Sequence, residues 1–264
     1  MDIKQFYARE EEKPLDSLVS DGGFCKIFRT IGCIGDSLSS GQFESCDERG
    51  AKGFHNFFEY SWGQYMARQA GIKVYNFSRG GMTAKEYCES FAAMKGFWDE
   101  DKLCQAYILA LGVNDILRDK QELGSISDIN LATRSKNKDT FAGHYAKIIQ
   151  NLKTKQPKAK FFLMTMPKDC DEKNNNLKKA HADLLYEMAK LLDYTYVLDF
   201  YQYSPVHDEE FKKNFYLGSH MNAAGYVLTA KMVMSYVDYI IRNHPEDFAQ
   251  VAFIGKQYYN HEAK

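Results

Sequence analysis

Five short runs rich in β-branched and aromatic residues recur along the chain, at KIFRTIGCIG (26 to 35), IKVYNF (72 to 77), AYILALG (106 to 112), AKFFLMTMP (159 to 167) and YTYVLDF (194 to 200). They are nearly continuous in apolar residues rather than alternating, which is the pattern of strands buried on both faces. Helical patterns lie between and after them. The stretch from 54 to 71 ends in Gly71, as a helix does. The next, from Thr83 to about Met94, opens with Thr83 in the N-cap position and a glutamate three residues on, at Glu86. Lys138 to Lys155 places Phe141, Tyr145, Ile148, Ile149 and Leu152 on one stripe, and 176 to 192 and 223 to 241 behave likewise. Strand and helix alternating in this way predict an α/β fold of parallel strands joined by crossover helices.

A chain of 264 residues, 45% of them hydrophobic, can bury one full core, and a single domain over 1 to 264 is expected. The formal net charge is -1, so no basic field exists to draw a phosphate backbone, and nucleic acid is not an expected partner. No segment is long and apolar enough to span a bilayer, and the first residues carry no signal-peptide pattern, so a cytoplasmic location is expected. The cysteines at 25, 33, 46, 88, 104 and 170 include no CxxC pair and no zinc-type spacing, so they read as reduced thiols, with no metal and no cofactor expected. Cys33 and Cys104, beside strand-like runs, read as small hydrophobes. Beyond Ile241, Asn243 and Pro245 stop the last helix. The apolar residues that follow, Phe248, Val251, Phe253 and Ile254, are expected to pack on the body. The long stretch from Arg118 to about Lys136 reads as an irregular loop, either a surface excursion or the border of a site.

Ligands of open parallel sheets bind beyond the carboxyl ends of the strands, so those ends form one group. The first run leads into Gly35-Asp36-Ser37-Leu38, the second into Asn76-Phe77-Ser78-Arg79-Gly80-Gly81, and the third into Gly112-Val113-Asn114-Asp115. His220 stands just before the last helix. A serine hydroxyl becomes a nucleophile when an imidazole takes its proton, and the anion formed on attack at a carbonyl needs fixed donors. Ser37 and His220 can meet the first need. The backbone N–H groups of Ser37 and Gly81, with the Asn114 amide, can meet the second. Asp36, too close to Ser37 to serve the far side of an imidazole, is expected to be structural rather than catalytic, and Asp115 is expected to cap or brace the segment that follows it. The other histidines, at 55, 144, 181, 207, 244 and 261, lack this context.

Taken in order, these blocks resemble the first three motifs of the GDSL, or SGNH, hydrolases, over roughly residues 25 to 242. The resemblance implies a flavodoxin-like, three-layer α/β/α sandwich around a five-stranded parallel sheet, flanked by N-terminal and C-terminal extensions. It also implies a serine esterase acting through an acyl-enzyme, with Ser37 as nucleophile, His220 as base, and Ser37, Gly81 and Asn114 as oxyanion donors. The fourth motif departs from the family. Where an aspartate usually stands three residues before the histidine, this chain has Leu217. The candidates for the third triad member are Asp199 and Asp208, the latter beside Glu209 and Glu210. A backbone carbonyl, or a dyad with no orienting group, is the alternative.

Aromatic residues crowd the region before His220, at Phe200, Tyr201, Tyr203, Phe211, Phe215 and Tyr216, and suit either packing or a sugar or acyl group. The expected substrate is a small-molecule ester, with deacetylation of a carbohydrate as the specific case. Acyl transfer, and a ligand-binding protein impaired in turnover, are the readings set against it.

Overall fold

The structure is a computed structural model and describes residues 3–260. Its strands are, in chain order, β1 (Thr30–Gly35), β2 (Gln42–Cys46), β3 (Lys52–Asn56), β4 (Lys73–Asn76), β5 (Ala106–Ala110), β6 (Lys160–Met164), β7 (Thr195–Leu198), β8 (Tyr216–Leu217) and β9 (His220–Met221). The five apolar runs supply the main sheet, in the order β4-β1-β5-β6-β7 with every pairing parallel. This is the flavodoxin-like order, whose switch point lies between β1 and β5. In that register Gly35 faces Ala110, so the chain leaves β1 and β5 side by side at the carboxyl edge.

Each face of the sheet is covered, which is why β1, β5 and β6 read as continuous apolar runs. On one face, the helical segment 84–94 and the helices Phe141–Lys155 and Glu172–Leu191 enclose a core that includes Phe77, Tyr87, Tyr145, Phe161 and Leu185. On the other, Trp62–Ala70 and Ala223–Asn243 enclose Cys33, Trp62, Met66, Ile108, Tyr226 and Val237. The three-layer sandwich is the expected one. Cys33 and Cys104 are buried, as small hydrophobes would be. The tail packs on the second face through Phe248, Val251 and Ile254, whereas Phe253 stays exposed.

Two stretches differ from the sequence reading. The helix expected from 54 begins only at Trp62, where the Ser61 hydroxyl accepts from the Gln64 N–H at 3.2 Å. Residues before it belong instead to an antiparallel hairpin of β2 and β3, in which Glu44 pairs with Phe54. β3 is mostly exposed, so no buried face marks it in the sequence. The long loop after Arg118 is better ordered than expected. It contains helical turns at Ile126–Asp128 and Arg134–Lys136, and a bond from Lys138 to the buried Asp128 carboxylate at 2.7 Å anchors it.

Candidate active site

Ser37 opens the one-turn helix Ser37–Ser40 directly after β1. Asp36 caps that turn, its Oδ1 accepting from the Leu38 N–H at 3.1 Å, which is the structural role expected of it. Ser37 itself is only partly buried.

After β4 the chain folds back on itself. Asn76 Oδ1 accepts from the Ser78 N–H at 2.9 Å, and the Ser78 hydroxyl donates to the Cys33 carbonyl at 2.8 Å, tying this loop to β1. Gly81 then adopts φ +73, a left-handed conformation that a side chain would strain. After β5, Asn114 lies in a wide π-type turn, Val113–Arg118. Its Nδ2 donates to the Met82 carbonyl at 3.1 Å and makes a longer contact, 3.4 Å, with Asp36 Oδ2. Asn114 is thus held between the loops that carry Ser37 and Gly81. Arg118 adds a second tie, donating to Asn114 Oδ1 and to the Gly81 carbonyl, each at 3.1 Å.

The Asp115 carboxylate does not cap or brace the segment that follows it. It is fully buried, and its Oδ1 accepts from the Ala84 N–H at 2.7 Å, fastening the start of segment 84–94 to the turn after β5. Burial pushes the Asp115 and Asp36 carboxyls up to about 6 each.

His220 begins β9, which pairs with β8 and lies against both β2 and the Ser37 turn. Its side chain is 13% exposed, and burial holds its pKa below the ordinary value, partly offset by the Glu44 carboxylate. Nδ1 stands 3.0 Å from the Ser219 hydroxyl and 4.0 Å from Glu44 Oε2. The same Glu44 oxygen accepts from the Ser219 hydroxyl at 2.6 Å and the Ser219 N–H at 2.7 Å, while Lys52 holds Oε1 at 2.6 Å. The Phe54 ring meets the imidazole edge-on at 5.4 Å. Close approach of this loop to Glu44 depends on Gly218, whose φ is +67. A Cβ there would lie 2.4 to 2.6 Å from the carboxylate. Hydrogen bonds from Lys52 and Ser219 hold the Glu44 carboxyl down at about 2.

The two aspartates proposed as third triad members are engaged elsewhere. Asp199 accepts from Thr165, Gln202 and Tyr186 at the end of β7, and Asp208 caps the helix Glu209–Phe215 through the Phe211 N–H. Among the described residues, the side chains recorded against the His220 ring are Ser219, Glu44 and Phe54. Glu44 and Ser219 were missed because an acidic residue in a polar strand looks like any solvated one. Of the aromatic residues before His220, three pack together: Phe211 stacks on His207 at 4.1 Å and lies against Phe215 and Tyr216, whereas Phe200 is buried in the second core and Tyr203 packs on Tyr236. Of the other histidines, His144 pairs with Asp139, His207 with Tyr216 and His55 with Ser45, while His261 lies outside the described residues.

Solved structures with the same fold include the following three. A family two carbohydrate esterase from Clostridium thermocellum, in complex with cellohexaose, aligns with a TM-score of 0.58 at 16% identity, over 81% of this chain and 64% of that one. A family 3 carbohydrate esterase from the same organism aligns at 0.52 and 16% identity, over 81% of this chain and 96% of the other. A protein from Lactobacillus plantarum aligns at 0.58 and 16%, over 80% and 97%. At such identities the likeness shows the fold alone. No match was found among curated proteins. The sequence itself carries the assignment further, because the profile of the GDSL-like lipase/acylhydrolases matches residues 31–233, a span that takes in the Ser37, Gly81, Asn114 and His220 motifs. With its motifs at successive strand ends of one sheet edge, the chain belongs to the GDSL-like lipase/acylhydrolase family.

Proposed function

We propose that the protein is a serine esterase that cleaves small carboxylic esters through an acyl-enzyme, with acetylated carbohydrates as its substrate class. One observation carries this reading: Ser37, Gly81 and Asn114 stand at neighbouring strand ends of one sheet edge, and the strand bearing His220 lies against the Ser37 turn. The Ser37 Oγ attacks the ester carbonyl carbon as its proton passes to His220 Nε2. The oxyanion is received by the N–H groups of Ser37 and Gly81 and by Asn114 Nδ2. One Asn114 amide hydrogen is tied to Met82, and the other, in the long contact to Asp36, is the one left for the oxyanion. Collapse of the adduct breaks the bond to the alcohol, which leaves with the proton from His220. Water, deprotonated by the same imidazole, then frees the acid and restores Ser37.

The carbohydrate reading is supported by the surface beside His220. Phe54, 54% exposed, has its ring 5.4 Å from the imidazole, and Phe57 and Tyr60 are exposed in the segment just after the same hairpin. Flat apolar rings of this kind suit the faces of sugars. The solved carbohydrate esterases with this fold are consistent with it.

Intact mass after incubation with a fluorophosphonate tests the mechanism. A single adduct on the wild type, lost in Ser37→Ala with the fold retained, is expected. A folded wild type with no adduct would overturn the reading in favour of a binding protein. A panel of acetylated sugars beside aryl acetates tests the substrate class, and adding free sugars to the aryl acetate reaction tests for acyl transfer, which would yield a new ester.

A further inference from the structure

We propose that Glu44, acting through the hydroxyl of Ser219, orients His220 and takes the place of the aspartate that Leu217 displaces. The inference rests on the esterase reading above and names the positioning residues of that same site.

The hydrogen-bond inventory decides the direction of each bond. An ionised carboxylate only accepts, and a serine hydroxyl has one proton to give and two lone pairs to offer. Glu44 is ionised, held so by Lys52 at 2.6 Å and by both donors of Ser219. The single proton of the Ser219 hydroxyl therefore goes to Glu44 Oε2, in a short, charge-assisted bond of 2.6 Å. What Ser219 Oγ then offers His220 Nδ1, 3.0 Å away, is a lone pair, so that contact is a hydrogen bond only when Nδ1 carries the proton. This leaves the lone pair on Nε2, the nitrogen that must take the proton of Ser37. The charge of Glu44, 4.0 Å from Nδ1, favours the imidazolium formed at that moment.

The surroundings are built for this arrangement. Leu217 is 52% exposed, and its side chain has no atom that could accept from the ring. Gly218, with φ +67 and no Cβ, lets the β8–β9 turn close on the carboxylate. Glu44 and Phe54 are paired across the β2–β3 hairpin, and one holds the imidazole's partner while the other packs on the ring itself. The hairpin that lies between the Ser37 turn and helix Trp62–Ala70 therefore supplies what the fourth motif lacks. Among the described residues, the charged groups at this end of the imidazole are Glu44 and, behind it, Lys52.

The test uses the full chain and an aryl acetate, with fluorophosphonate labelling in parallel. In a labelled wild type, Ser219→Ala and Glu44→Gln are each expected to lower kcat by about a hundredfold with KM nearly unchanged, since loss of the orienting group in a Ser-His-Asp triad can cost up to about ten thousandfold. Glu44→Gln should also move the acid limb of kcat/KM to lower pH, because the imidazolium loses its counter-charge. Adding Leu217→Asp to Ser219→Ala should restore at least tenfold of the loss by returning an acceptor to the usual position. Nitrogen chemical shifts of His220 in the unmodified protein give a readout independent of how the variants fold. Protonated Nδ1 and bare Nε2 are expected, and the opposite tautomer overturns the proposal. A labelled wild type whose two single variants keep their rate and their acid limb overturns this inference alone, whereas an unlabelled wild type overturns the esterase reading and the inference with it.

Discussion

Arg118 donates to Asn114 Oδ1 at 3.1 Å, and its other terminal nitrogen donates to the Gly81 carbonyl at the same distance. One guanidinium thus spans the loops that carry two of the three proposed oxyanion donors, and Asp119 holds it in turn at 2.6 and 2.8 Å. Arg118→Ala should free the Asn114 amide to rotate and the Gly81 peptide to drift. Removing an oxyanion donor outright costs about a hundred- to a thousandfold in rate. Loosening two of them should lower kcat about tenfold, with KM little changed. Arg118→Lys should not restore it, because an ammonium lacks the fork that reaches both acceptors. Steady-state kinetics on an aryl acetate check both variants.

Burial holds His220 below the ordinary histidine value, and the Glu44 carboxylate recovers only part of that shift. His220 is then neutral, and competent as a base, at pH 7. Activity should fall as acid protonates the ring, with the midpoint of the acid limb below the ordinary value of about 6.5. A kcat/KM profile between pH 4 and 8 on a substrate that does not itself titrate measures it. A midpoint at or above about 6.5 would show that the carboxylate outweighs burial.

Asp115 is buried, has no partner for Oδ2, and is pushed up to about 6. A carboxyl raised above its unfolded value of about 3.9 favours the native state most below that value, and loses this contribution as pH rises through about 6. The gap corresponds to at most about 3 kcal/mol. Asp115→Asn keeps an oxygen for the Ala84 N–H and removes the buried charge. Its stability relative to wild type should therefore rise between pH 4 and 6.5 and level off above. Denaturant unfolding of both proteins across that range checks the sign.

The parallel sheet and the positions of Ser37, Gly81, Asn114 and His220 relative to its strands and helices were legible in the chain alone. The reason is local: continuous apolar runs announce strands buried on both faces, and each motif follows a strand or precedes a helix within a few residues. That Asp36 is structural was legible from its place beside Ser37, while its cap on the Ser37 turn was seen only in the structure. The role of Asp115 was not legible, because its partner Ala84 stands 31 residues away on another loop.

The hairpin of β2 and β3 and the surroundings of the imidazole came from tertiary contact alone. β3 is mostly exposed and shows no alternation that would separate it from a helix start. Glu44 and Ser219 are 175 residues apart, and neither differs in sequence from an ordinary surface residue. Asp199 and Asp208 stood nearer His220 along the chain, but their carboxylates are committed to helix caps. Proximity in sequence favoured those aspartates. A carboxylate acts on what it faces across space, and the fold turns Glu44 toward the loop that carries His220.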